Sequence, residues 1–128
     1  MRLRTIGCSV LVLALWGCGQ PVRYEKIDGP YIVVAADVVE DRHLSYDLGD
    51  GASIGRVDAT VIGVGHNDRY ITVQRQPQAS PQTIEYYYVV RDLDGRHASA
   101  EAVKGPFDEP TYRAEVARLN LPDLKPVH

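Results

Sequence analysis

The chain has 128 residues, with 14 Lys and Arg against 17 Asp and Glu and a formal net charge of −3 at pH 7. That length suits one domain of ordinary size. A mildly acidic balance argues against nucleic-acid binding, which wants clustered Lys and Arg.

The N-terminus is organised differently from the rest. Met1-Arg2-Leu3-Arg4 is basic, and Thr5 to Trp16 carries no charge and is dominated by Leu, Val and Ile. A membrane-spanning helix needs roughly 20 apolar residues, so this stretch is too short to span and has the length of a signal-peptide core. It ends in Leu15-Trp16-Gly17-Cys18. That sequence resembles the lipobox of bacterial lipoproteins. The resemblance implies cleavage after Gly17, a small residue the peptidase can accept, and lipidation of the Cys18 sulfur. Two or three acyl chains hold firmly where a single one binds only marginally. Cys8 makes a weaker lipobox, because almost no apolar run precedes it. Gly19 stands where an Asp would signal inner-membrane retention, so the resemblance points to the outer membrane of a Gram-negative envelope.

Cleavage would remove Arg2 and Arg4 but no acid, leaving 111 residues with a formal charge of −5. The remaining cysteine would be Cys18, with its sulfur blocked. No disulfide, cysteine nucleophile or thiolate metal site is then available, and the domain must stand on its core. Residues 1–17 read as signal peptide, 18–21 as lipidated cysteine and short tether, and 22–128 as one small β-rich domain.

Val22–Ile27 alternates loosely, as an edge strand would. Asp28-Gly29-Pro30 is a turn. Tyr31–Val39 is a nearly continuous apolar run and predicts a central strand, broken by Glu40-Asp41-Arg42. His43–Leu48 alternates, placing Leu44, Tyr46 and Leu48 on one face and His43, Ser45 and Asp47 on a solvated one. Gly49-Asp50-Gly51 is a turn. Ile54–Gly65 reads as a further Val/Ile strand in which Gly63 and Gly65 admit a bulge or close packing. His66-Asn67-Asp68-Arg69 is a tight hairpin loop, Tyr70–Arg75 a strand, and Gln76–Gln82 a loop. Ile84–Arg91 has the highest strand propensity, and Asp94-Gly95 closes it.

The C-terminal part predicts a helix. Asp108 is suited to cap it, Pro110 to sit in its first turn, and Phe107 to pack against Tyr112. Tyr112, Val116 and Leu119 form one apolar stripe, and Asn120 and Pro122 end the helix. The expected fold is mostly β (α+β), a single antiparallel meander of five or six strands with one C-terminal helix packed on it. The runs Asp58–Gly65, Asn67–Val73, Tyr86–Val90 and Gly105-Pro106-Phe107 resemble small bacterial lipoproteins built on an uncharacterised domain. The likeness covers residues 55–120 and implies a fold but no activity.

Candidate chemistry is sparse. His43, Ser45 and Asp47 are same-face neighbours roughly 7 Å apart along one strand, whereas a catalytic triad converges from separate elements. Asp47, Asp50 and Asp58 lack the order of a calcium loop. His43, His66, His97 and His128 show no zinc spacing. No cofactor or metal site is predicted, and no catalytic residue. Tyr86, Tyr87, Tyr88 and Arg91, with His66, Asp68 and Arg69 of the hairpin loop, form the candidate interaction surface, because Tyr and Arg are enriched at interface hot spots. The expectation is a non-enzymatic, membrane-anchored envelope lipoprotein that binds another envelope protein. The alternatives are a module holding a small ligand or glycan between sheet and helix, and a hydrolase.

Overall fold

The computed structural model describes residues 23–97 and 100–128. The expected signal peptide, lipobox and lipidated Cys18 lie outside the described residues. In chain order the strands are β1 (Arg23–Asp28), β2 (Tyr31–Ala35), β3 (His43–Gly49), β4 (Ala52–Val57), β5 (Val61–His66), β6 (Tyr70–Arg75), β7 (Glu85–Val90) and β8 (Val103–Phe107). Helix α1 (Glu109–Leu119) and the short β9 (Lys125–Pro126) follow. No described helix is long and apolar enough to cross a membrane.

The strands do not form the single meander expected from the sequence. They form two antiparallel sheets, ordered β1-β2-β3-β4 and β8-β7-β6-β5-β9. The predicted Ile54–Gly65 strand is in fact two strands, since β4 closes the first sheet and β5 opens within the second. Between them the backbone of Thr60 bonds to Gln76 in both directions, at 3.0 and 2.8 Å. One nine-stranded sheet would leave a wide apolar face without cover. Two sheets packed face to face bury both inner faces at once.

Alternation along the strands builds that interface. Tyr31, Val33, Leu44 and Val57 of the first sheet meet Val61, Val64, Ile71, Val73 and Val89 of the second in one buried cluster. Val61 and Val64 both face inward because a bulge at Val61/Gly63 shifts the strand's phase.

The second sheet is covered on its other face too. Tyr88, Tyr112 and Leu121 form a smaller cluster with Tyr70, Tyr86, Phe107, Val116 and Leu119. Helix α1 reaches that position through its caps. The Asp108 carboxylate accepts from the Thr111 amide at 2.9 Å, and Asn120 ends the helix in a left-handed conformation (φ 53°). The chain then crosses the sheet again, where buried Thr72 donates to the Pro122 carbonyl at 3.1 Å.

Three further expectations change. The strand predicted over Tyr31–Val39 stops at Ala35, and Val38 and Val39 lie exposed in a loop with a 3₁₀ turn at Val39–Asp41. Ser45 was expected on a solvated face but is 0 % exposed. It sits mid-strand in β3, flanked by Ile32 of β2 and Gly55 of β4. Strands β8 and β9 escaped the sequence reading, since β8 carries Gly105-Pro106 and β9 is two residues pairing with Gly63 and Val64.

Gly65 shows how tightly the crossing is packed. A Cβ there would run into the Asp123 carbonyl and sit 2.5 Å from Thr72 Oγ1, whereas at Gly55 it would meet nothing within 4 Å. Gly65→Ala should therefore destabilise by about 1–3 kcal/mol, the usual cost of overpacking. Gly55→Ala should be close to neutral. Urea unfolding of both variants checks this, and equal midpoints would refute the close approach.

Candidate functional site

The densest chemistry gathers at one end of the space between the sheets. It starts from a bulge: β3 and β4 slip register between Leu44 and Ser45, leaving Arg56 as the extra residue between Gly55 and Val57. A bulge re-aims a side chain. Arg56 turns inward beside Val57 instead of outward to solvent.

Its partner is Asp94, on the link between β7 and β8. Arg56 Nε lies 2.9 and 3.1 Å from the two Asp94 oxygens, and Nη2 donates to the Gly95 carbonyl at 2.7 Å. The two side chains are 1 % and 0 % exposed. Asp94 also accepts from the Tyr31 hydroxyl and the Gly95 amide, both at 2.9 Å. The remaining guanidinium nitrogen, Nη1, faces the Ile54 and Gly55 carbonyls at 3.3 and 3.4 Å. Both charges are thus fully engaged, as burial demands.

Aromatic rings frame the pair. The Arg56 guanidinium lies 4.9 Å from the Tyr46 ring centroid, and Tyr46 meets Tyr31 edge-on at 5.5 Å. Arg91 lies 5.4 Å from the Tyr31 centroid, and it donates to Asp28 and to the Asn67 carbonyl, each at 2.6 Å. The hydrogen bond from Arg91 holds the Asp28 carboxyl below the usual carboxylate range. Burial, then the hydrogen bond to Asp94, raises the Tyr31 phenol above its ordinary value. Outside this cluster opens a cleft of about 290 Å³ lined by Tyr31, Tyr46, Asp68, Arg91, Asp92 and Asp94. A second concavity, of about 250 Å³, lies on the outer face of the first sheet beside Tyr24, Ile32, Val34 and Asp47.

The residues singled out from sequence divide between these places. Arg91 and Asp68 line the cleft. His66, Asp68 and Arg69 are exposed on the β5–β6 hairpin, whose turn is tied by Asn67 Oδ1 accepting from the Arg69 and Tyr70 amides at 2.9 and 2.8 Å. The tyrosine run is used for packing. Tyr86 stacks on Tyr112 at 4.6 Å, and Tyr88 stacks on Phe107 at 5.7 Å and donates to Glu115 at 2.7 Å. Tyr87 turns to the other face, where its hydroxyl donates to Glu85 at 2.9 Å. Rings therefore pack the space between sheet and helix.

Ser45 is buried, His43 Nδ1 lies 3.1 Å from the Asp41 carbonyl, and Asp47 accepts from the Gly49 amide. No group of three or more His, Cys, Asp or Glu placed to hold a metal occurs among the described residues. Sequence reasoning missed Tyr31, Tyr46, Arg56 and Asp94. The one available signal was a lone Arg after a Gly inside the otherwise uncharged run Ala52–Val57, which is where a bulge would fall.

The fold therefore defines the class of this protein: two antiparallel sheets, four and five strands, with one C-terminal helix. No family model, curated protein or solved structure matches the chain.

Asp94→Asn leaves the Arg56 charge buried without its counter-charge and should cost about 3–5 kcal/mol. The double variant Arg56→Met/Asp94→Leu should recover much of that loss. Chemical denaturation measures both, and a loss below about 1 kcal/mol in the single variant would mean the charges are not buried together. Separately, burial and then the Glu115 contact push the Tyr88 phenol up to about 12. An unfolded tyrosine titrates near 10. Between these values the folded chain keeps a proton that the unfolded chain loses, so stability present below pH 10 declines as pH rises. Tyr88→Phe should flatten that decline in alkaline unfolding curves. An unchanged slope would show that Tyr88 is not the group responsible.

Proposed function

We propose that this protein is a non-enzymatic lipoprotein of the cell envelope, held to the membrane by lipid on Cys18 and working as an interaction module. The observation that carries the reading is Leu15-Trp16-Gly17-Cys18 after a basic start and an uncharged run. Four residues separate Cys18 from the first residue of β1, so the folded body stays close to the bilayer.

The side chains support binding over catalysis. The most buried charges bond each other and the backbone, and the one strand holding His, Ser and Asp has its serine buried. Surfaces open to a partner are the cleft beside Arg91 and Asp68, the exposed hairpin residues His66 and Arg69, and the concavity beside Tyr24. A small ligand or glycan is the second reading, favoured by the cleft of about 290 Å³ with Tyr31 and Tyr46 in its wall.

In-cell cross-linking of the full-length, C-terminally tagged protein tests the main reading, with Cys18→Ser as control. Labelled palmitate should enter the wild type and not the variant. One dominant envelope protein should be captured only when the anchor is present, and Arg91→Glu or Asp68→Arg should weaken its capture several-fold. Equal capture by wild type and the Cys18→Ser control would reject the interaction reading. Absence of palmitate from the wild type would reject the anchor.

A further inference from the structure

Large hydrophobic side chains are exposed at few places, and they are not scattered. Among the described residues Tyr24 is 71 % exposed, Val38 53 % and Val39 45 %, and these are three of the five such side chains. All three belong to one end of the first sheet. Arg23 pairs with Ala35, so the loop leaving β2, which carries Val38 and Val39, begins beside the residue that opens β1. Tyr24, Val39, Arg23 and Arg42 line one small hollow there.

That end is also where the chain arrives from Cys18. Five Cα steps join Cys18 to Arg23, a reach of at most about 18 Å. A lipid on Cys18 keeps this end within that distance of the bilayer. The opposite end holds the Asp28–Tyr31 turn and the Arg56–Asp94 pair.

We propose that Tyr24, Val38 and Val39 form a second membrane contact, docking on the phospholipid interface beside the anchor and pointing the charged cleft away from the bilayer. This rests on the lipobox reading of Cys18. Apolar and tyrosine side chains settle at the headgroup boundary, where a ring sits in the apolar layer and its hydroxyl stays wet. Arg23 is exposed beside the patch, while Arg42 is turned toward the C-terminus, its Nη1 donating to the Val127 carbonyl at 3.2 Å. Asp37, Glu40 and Asp41 also flank the patch, so the surface suits zwitterionic lipid better than strongly anionic lipid. The loop is held in place for this role: Thr60 Oγ1 and Gln78 Nε2 both donate to the Glu40 carbonyl, the latter at 3.1 Å.

The test uses the mature lipidated protein in phosphatidylcholine vesicles. Its Cys18 sulfur is blocked, so Val39→Cys supplies a single thiol for an environment-sensitive fluorophore. Leu93→Cys, an equally exposed apolar site at the far end, is the comparison. Nitroxide-labelled lipid should quench the probe at 39 several-fold more than the probe at 93. Adding phosphatidylglycerol should reduce that difference. Replacing Tyr24 and Val38 by Ser in the Val39→Cys protein should reduce it further while circular dichroism stays unchanged. Vesicle-bound protein with equal quenching at both sites would overturn the docking but leave the anchor intact. Protein that fails to float with the vesicles would overturn both.

Discussion

Arg56 lies on β4 of the first sheet and Asp94 on the link between β7 and β8 of the second, and their side chains are 1 % and 0 % exposed. Removing two charges from water costs several kcal/mol per ion, and only close geometry with complete hydrogen bonding offsets it. Both conditions depend on backbone placed elsewhere. The bulge in β4 must turn Arg56 inward, the link after β7 must bring Asp94 opposite, and Tyr31 of β2 must reach the same carboxylate. A slip of either sheet would leave two unpaired charges in the interior. The apolar contacts between the sheets are non-directional, whereas this pair is directional, so it adds a constraint on how the sheets meet.

The same constraint shapes the candidate site. Tyr31 and Tyr46 stand at the edge of the buried pair, and Arg91 leans over Tyr31 while bonding Asp28 and the hairpin backbone at Asn67. The cleft is thus walled by groups whose positions are fixed by buried neighbours, which favours recognition by a preformed surface.

The second sheet has a different logic. It lies between the first sheet and α1, so β7 must be apolar or aromatic on both faces. Glu85-Tyr86-Tyr87-Tyr88-Val89-Val90 meets that need. Tyrosine fills a large volume, and its hydroxyl reaches a carboxylate at the margin, Glu115 on one face and Glu85 on the other. Rings on both faces of β7 are what a strand between two layers requires.

Much of the local structure was legible in the sequence, because it depends on neighbours along the chain. Alternation in β3 and β6, turn residues at Asp28-Gly29-Pro30, and the Asp108 cap with the Tyr112–Val116–Leu119 stripe are all short-range effects. What the sequence could not carry is pairing. Whether β4 and β5 continue one sheet or start another depends on which faces find cover, and that is settled between segments far apart in the chain. The exposure of Val38 and Val39 likewise follows from where β2 runs out of a partner, not from their own propensity. Arg56 and Asp94 are 38 residues apart. No periodicity links them, and only the tertiary structure, by folding one sheet onto the other, made them a pair.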